Sequence, residues 1–538
     1  MALVIGIAMI IPKIEIAIKE IVGGVRYDCI VECLYMKREY YFLVLVLIIA
    51  AALRLSNLTA TPPGLYPDEA MNGNNALEAI STGNFKVFYP ENNGREGLFM
   101  NIQAGFIAAL GNKPWALRLP SAIFGILTVL GIYFMTREMK LGDAFFSNSN
   151  GRSQKMFGLD KNEFIALAAA FLLAVTFWHI NFSRIGFRAI MAPFFLTWSV
   201  YFMLKALKEN SRLIWSFAGG AIYGLGIYSY ISYRTTPLLM GVILIIYMRR
   251  AWLEARLKQF FTRAFIYIAC SIIVFAPLGL YFLQNPADFL GRTTQVSVFI
   301  SQTPLQDLSE NVLKTLTMFN LQGDGNWRHN ISGAPQLYPI VGLMFLLGFA
   351  ISISSLFSRH RPKAEPLIIF SAFLCGFLPV VISNEGIPHA LRAIIMIPPV
   401  ILFGAIGLAG FYEYLVKHIS IKTTDLGVIL VAIFLVVEAY VSYFIIWGQN
   451  PNVPGAFAQN YADMANEANK LPLSTPKIII VTAGGTDVRG FPTAAQTFMF
   501  LTDTWKPEEQ KAKNFIYLKP EQVPGFVAPV GAVTLFIN

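Results

Sequence analysis

Gly97-Leu-Phe-Met-Asn-Ile-Gln-Ala-Gly-Phe-Ile-Ala-Ala-Leu-Gly111 decides the topology of this chain. If it crosses a membrane, every later loop changes sides. If it lies along the surface as an amphipathic helix, none does. Eleven other apolar runs surround it, at 40–53, 117–136, 163–180, 189–207, 215–232, 235–248, 264–283, 337–357, 366–383, 393–411 and 426–446. Most approach the roughly 20 residues that span a hydrocarbon core. With 97–111 on the outer surface and the N-terminus inside, the basic loops around 37–38, 137–161, 205–212, 249–263, 359–363 and 417–422 fall on one side. That is the positive-inside pattern, and a spanning 97–111 breaks it repeatedly. The expectation is an α-helical polytopic protein of the cell membrane with about eleven transmembrane helices. Its N-terminus is cytoplasmic and its C-terminus extracytoplasmic.

Composition agrees. Of 538 residues, 55% are hydrophobic and 14% charged, against about 25% charged in soluble domains. The mean hydropathy is +0.55. A membrane β-barrel needs alternating segments of about ten residues, which are missing. The net charge of +10 fits basic inner loops and anionic lipid headgroups. No soluble basic domain exists to carry nucleic acid. Cys29, Cys33, Cys270 and Cys375 form neither a disulfide framework nor a zinc pattern. Residues 1–35 lack a basic leader region and a cleavage site. They read as an upstream extension before Met36-Lys37-Arg38, or as a peripheral helix.

The acidic pair Asp68-Glu69 lies in the first outer loop (54–116), within Thr61-Pro-Pro-Gly-Leu-Tyr-Pro-Asp-Glu-Ala70. Carboxylates beside a bilayer are costly unless hydrated or functional. The proline-rich turn predicts a helix from Glu69 to Ile80. The plain reading is a helix cap that satisfies free N–H groups and suits the dipole. The functional reading is a general base, typically worth about 10²–10⁴-fold in rate. Both hold together if one residue caps while its neighbour acts.

The outer loops also carry Arg95, Arg118, Arg184, Arg188, Arg234, Arg292, Arg328, His329, His389 and Arg392. Any single arginine could snorkel to headgroups. As a set beside a carboxylate pair they suit a phosphate, which the planar guanidinium grips through paired donors. In the long loop 284–336, Gly323-Asp-Gly-Asn is first a turn, with Asp324 a candidate sugar or metal ligand beside Trp327. Gly484-Gly-Thr-Asp-Val-Arg-Gly490 lacks the P-loop lysine, so nucleotide binding is not expected. No compact metal-ligand spacing appears, and a divalent metal stays open. The tail 448–538 is more polar. Strand-like runs at 476–481, 515–518 and 532–537 suggest a small extracytoplasmic α/β domain.

Taken in order, several segments resemble the GT-C superfamily of membrane glycosyltransferases, in its protein O-mannosyltransferase and lipid A aminoarabinose transferase branch. The matching pieces are Asp68-Glu69-Ala70, Arg95-Glu-Gly-Leu98, Ala116-Leu-Arg-Leu-Pro-Ser121 and Ser183-Arg-Ile-Gly-Phe-Arg188. Asn285-Pro-Ala-Asp-Phe-Leu-Gly-Arg292, Gly323-Asp-Gly-Asn-Trp-Arg-His-Asn330 and Pro388-His-Ala-Leu-Arg392 continue it. The resemblance covers about 38–412. It departs at Arg95-Glu-Gly-Leu98, where relatives tend to carry Pro-Pro-Leu after a basic or polar residue.

The resemblance implies a GT-C-like bundle and a polyprenyl-phosphate-linked sugar donor. A protein, lipid or glycan hydroxyl accepts the sugar by a single inverting displacement at the outer face. It implies Asp68 as base and Glu69 as an orienting or acceptor-binding group. Arg95, Arg188, Arg234 and Arg392, with His389, stabilise the leaving phosphate. Asp324, Arg328 and His329 form a substrate loop. The residues alone leave open a transporter and a lipid-glycan ligase or polymerase. Outer-end charges and the lack of an internal repeat count against the first; the acidic pair in an early loop counts against the second.

Overall fold

The computed structural model describes residues 38–146, 155–295, 297–358 and 363–538, the side chains of 292–295 excepted. The expectations for residues 1–35, for Cys29 and Cys33, and for the Arg292 side chain lie outside the described residues. The chain forms two compact units, 1–45 and 46–538. The described part of the first is the beginning of the helix Arg38–Leu55. Apart from that helix, everything below concerns the second.

All eleven expected apolar runs fall on helical segments. Among the described residues, eight helical stretches are long and apolar enough to cross a bilayer: Pro114–Met139, Arg188–Leu207, Ile231–Leu253, Leu257–Gln284, Pro339–Phe357, Ala364–Val381, Arg392–His418 and Ile421–Trp447. The chain is a multi-pass membrane protein. The other three runs lie on helices that are shorter or carry more charge. Arg38–Leu55 carries Arg38, Glu39 and Arg54. Lys161–Val175 has 15 residues before a break at Thr176, and Ile214–Gly226 has 13.

The stretch that decides the topology forms the helix Leu98–Leu110, of 13 residues. At 1.5 Å per residue it reaches about 20 Å, short of a core about 30 Å thick. Its buried face, with Ala104 and Ile107, packs into a cluster with Leu65, Ala70, Ala76, Leu117 and Phe500. Phe500 belongs to the C-terminal segment, so one face of this helix is covered by protein, while Gly105, Ala108, Ala109 and Leu110 are exposed.

Small residues set the helix packing, as expected where lipid tails supply no drive to associate. Pro339–Phe357 meets the helix Ile397–His418 backbone to backbone at Gly348 and Gly407. A Cβ on Gly348 would come within 1.7 Å of the Phe403 carbonyl oxygen, and one on Gly407 within 1.8 Å of that of Met344.

In the C-terminal segment, Lys477–Val481 is the central strand of a parallel sheet. Its neighbours are Phe515–Leu518 and Val533–Ile537. These are the three strands expected from the sequence. The segment docks on the first loop. The Asn74 amide donates to Gln496 Oε1 at 2.9 Å, Thr497 Oγ1 to the Leu65 carbonyl at 2.9 Å, and the Asn112 amide to the Phe500 carbonyl at 2.8 Å. Gly73 leaves room for the Phe500 ring, whose nearest carbon would lie 2.3 Å from a Cβ there.

The first loop is held by one buried ion pair. The helix Pro67–Thr82 begins with proline at its first position, where the missing N–H costs nothing. Glu69, fully buried, accepts from Arg118 Nε at 2.8 Å and Nη2 at 3.1 Å. It also accepts from the backbone N–H of Gly186 at 2.8 Å and of Tyr66 at 3.4 Å. Arg118 Nη1 and Nη2 donate to the carbonyls of Pro62 and Gly64 at 2.7 and 2.9 Å. Glu69→Gln or Arg118→Ala strands one buried charge. Either change is expected to destabilise the protein by about 3–5 kcal/mol, measured as thermal unfolding in detergent; an unchanged midpoint would show that the pair is dispensable.

Candidate functional site

A cavity of about 470 Å³ opens beside the start of Pro67–Thr82. Asp68, Arg95, Arg188 and Arg234 all line it, with Glu96 and Asp288 among their neighbours. Four of the residues singled out from sequence, spread over more than 160 positions, therefore meet around one space.

Arg95 and Glu96 arrive on a short hairpin. Phe88–Tyr89 pairs antiparallel with Arg95–Glu96. The connection bends through Asn92, Asn93 and Gly94, all with positive φ of 50°, 64° and 79°. Asn and Gly tolerate that region, so Asn92-Asn-Gly94 is a sequence signal for this hairpin. Gly94 is also needed for space, since a Cβ there would lie 2.4 Å from the Phe88 ring. Asn92 turns its amide back to Asp68 Oδ1 at 2.9 Å, fixing the partly exposed carboxylate at the cavity wall.

Arg95 is buried. Nη1 donates to Asn72 Oδ1 at 2.5 Å, while Nε and Nη2 are buried with no hydrogen-bond partner. Burial, and then the like charge of Arg188, push its pKa down to about 9. The guanidinium is still charged at neutral pH, so its two free donors are a standing demand for an acceptor.

Glu96 is shared by two arginines. Arg188 Nε lies 3.0 Å from Oε2 and Arg234 Nη2 lies 3.2 Å from Oε1. Arg234 is further held by the Phe289 carbonyl at 3.0 Å and by the Phe289 ring, 4.6 Å to its centroid. Arg188 lies over Tyr230, 5.5 Å to its centroid. Three guanidiniums and three carboxylates line the bare cavity, so an anion would be held by directed donors rather than by net charge.

Glu69 does not line this cavity; its carboxylate is consumed by Arg118 and the two backbone amides. Arg392 is not there either. It donates to Ser383 Oγ, to the Glu385 carbonyl at 2.9 Å and to Glu385 Oε2 at 2.6 Å. Arg392 does not line the cavity around Asp68 and Arg95. Arg328 stacks on Tyr66, 3.9 Å to the ring centroid, and Tyr66 lines the cavity beside Asp68. Burial and then the Asp68 charge raise the Tyr66 pKa, so its hydroxyl stays protonated.

Asp324, His329 and His389 form a second cluster. His329 Nδ1 lies 3.0 Å from Asp324 Oδ2, and His389 Nδ1 3.9 Å from the same oxygen. Burial outweighs Asp324 and lowers the His329 pKa, so its ring is neutral at pH 7.

Sequence reasoning gave no role to Glu96, Asn72, Asn92 or Asp288. A carboxylate adjacent to an expected phosphate-binding arginine is the signal that marks Glu96 as its neighbours' counter-charge. The Gly484-Gly-Thr486 loop and Thr493 also line the cavity, a wall supplied by the C-terminal segment. Arg489 anchors that wall, donating through Nη2 to Asn75 Oδ1 at 2.7 Å and Glu78 Oε2 at 2.6 Å. Arg489→Ala removes about 1–3 kcal/mol of charge-assisted bonding. Amide hydrogen exchange in 484–494 is then expected to rise about tenfold or more; exchange equal to wild type would mean that the wall is held elsewhere.

No family model and no curated protein sequence matches the chain. Solved structures do. The archaeal oligosaccharyltransferase AglB from Archaeoglobus fulgidus, in complex with an inhibitory peptide and a dolichol-phosphate, aligns with a TM-score of 0.51 at 14% identity. The alignment covers 90% of this chain and 64% of that one. ArnT from Cupriavidus metallidurans, bound to undecaprenyl phosphate, aligns with a TM-score of 0.49 at 14% identity, covering 86% and 84%. The Saccharomyces cerevisiae protein O-mannosyltransferase Pmt1-Pmt2 complex bound to the sugar donor aligns with a TM-score of 0.35 at 19% identity, covering 55% and 39%.

Proposed function

For a chain with the fold of the GT-C membrane glycosyltransferases, we propose a glycosyltransferase that moves a sugar from a polyprenyl-phosphate donor to an acceptor hydroxyl at the extracytoplasmic face. One observation carries the reading. Arg95, whose Nε and Nη2 are buried without a hydrogen-bond partner, lines a cavity that also takes in the partly exposed Asp68. A group that holds the departing phosphate and a group that takes the acceptor's proton are the two functions such a transfer needs. The dolichol-phosphate held by AglB, a protein of like fold, supports the choice of a lipid phosphate.

In the proposed step, Asp68 takes the proton of the acceptor hydroxyl as that oxygen attacks the anomeric carbon. The bond from that carbon to the lipid phosphate breaks, and the configuration inverts. Asn92 occupies Oδ1 of Asp68, which leaves Oδ2 to receive the proton. Arg95, with Arg188 and Arg234, stabilises the charge that gathers on the departing phosphate. Such stabilisation is commonly the largest catalytic contribution. Glu69 serves by fixing the loop that aims Asp68, and the Gly484–Thr493 wall bounds the space left for the acceptor.

Sugar transfer in membranes, from a panel of polyprenyl-phosphate sugars, tests the proposal. One donor should be consumed by the wild type. Asp68→Asn should lower turnover at least 10²-fold while binding of the lipid phosphate persists, and Arg95→Gln should weaken that binding. Equal turnover in Asp68→Asn would leave Asp68 as a first-turn acid that suits the helix dipole. No consumption of any donor by well-folded protein would favour transport.

A further inference from the structure

Asp324, His329 and His389 each offer a ligand atom within 4.8 Å of the others, although 65 residues separate the ends of the set. Their loops fold so as to present them together. Asn330 Nδ2 donates to the Ala334 carbonyl at 2.6 Å and the Gly333 N–H to the Asp324 carbonyl at 2.9 Å. Gly323 is packed so closely that a Cβ would meet the Ala334 carbonyl at 2.2 Å. The carboxylate of Asp324 is oriented from both sides, by the Asn326 N–H on Oδ1 at 2.8 Å and the Ala390 N–H on Oδ2 at 2.8 Å. The two imidazole centroids lie 5.0 Å apart.

We propose that these three side chains bind a divalent transition-metal ion of the zinc class, as a structural clip between the loop 323–330 and the loop 388–392. Two imidazoles and one carboxylate suit zinc and its neighbours rather than magnesium or calcium, which prefer all-oxygen shells. Bonds of about 2.0 Å in tetrahedral geometry, with water in the fourth position, place ligand atoms about 3.3 Å apart. The 3.0 Å between His329 and Asp324 already meets this, while His389, 3.9 Å from Asp324 and within 4.8 Å of His329, must draw in on binding. Backbone N–H groups that hold a carboxylate by its unshared lone pairs are the usual support for a ligating group.

The clip is structural because none of the three side chains lines the cavity around Asp68. Their chain neighbours do shape that cavity. Leu391 forms part of its wall, and Arg328 stacks on Tyr66. An ion here would fix the positions of both without entering the reaction.

The test uses the full chain in detergent, stripped with a chelator and then titrated with zinc chloride alone. About one tightly bound zinc per chain is expected by elemental analysis, with a rise in the unfolding temperature. Cobalt(II) in place of zinc should give the intense visible absorption of a low-coordinate site. His389→Gln, at the more exposed edge of the cluster, should lose the tight equivalent and the thermal shift while keeping the wild-type helical spectrum. Wild type that takes up no ion and shows no cobalt absorption would overturn the proposal and leave an Asp–His hydrogen bond that docks two loops. The same stoichiometry in folded His389→Gln would overturn this ligand set.

Discussion

The buried pair of Glu69 and Arg118 is the constraint from which the site is built. Two full charges are taken from water, which is tolerable only because each is completely occupied. Glu69 takes two guanidinium nitrogens and two backbone amides, and Arg118 covers the carbonyls of Pro62 and Gly64 as well. The pair ties the proline-rich turn, the start of Pro67–Thr82, the helix beginning at Pro114 and the backbone at Gly186 to one point. Asp68, one residue before Glu69 at the same helix start, is thereby aimed the other way, into the cavity. Adjacent carboxylates have divided the work between anchoring and exposure.

The arginines divide in the same manner. Arg118 is used up by Glu69, and Arg392 by Ser383 and Glu385. Arg188 and Arg234 lean on one shared carboxylate and keep donors for a further acceptor. Of the three arginines that line the cavity, Arg95 is the one with buried donors, Nε and Nη2, left unmatched. In the proposed transfer, the least satisfied guanidinium of the three is the one that would gain most from a phosphate.

Much of the fold was legible because apolar runs and loop charges are governed by bilayer physics. The surface placement of 97–111 was expected from the sidedness of the basic loops, and the segment forms a 13-residue helix with one face packed under Phe500. The three C-terminal strands were readable from their β-branched and aromatic runs. The convergence of Arg95, Arg188 and Arg234 was expected from resemblance and residue type. Which arginines were already paired was not readable, because Glu96 and Glu385 act through side-chain geometry that no spacing rule reports. The cluster of Asp324, His329 and His389 was hidden for the same reason, since its ligands lie too far apart in sequence to form a motif. The Gly484–Gly490 loop was set aside for lacking a phosphate-binding lysine, yet it contributes backbone to the cavity wall.

The most direct measurement is an experimental structure of the protein with a short-chain polyprenyl phosphate. The account places the phosphate within hydrogen-bond reach of Arg95 Nε and Nη2, beside Arg188 and Arg234, with Asp68 facing the space next to it. A phosphate seated against Arg392 and His389, with Arg95 still unpartnered, would contradict the account at its centre.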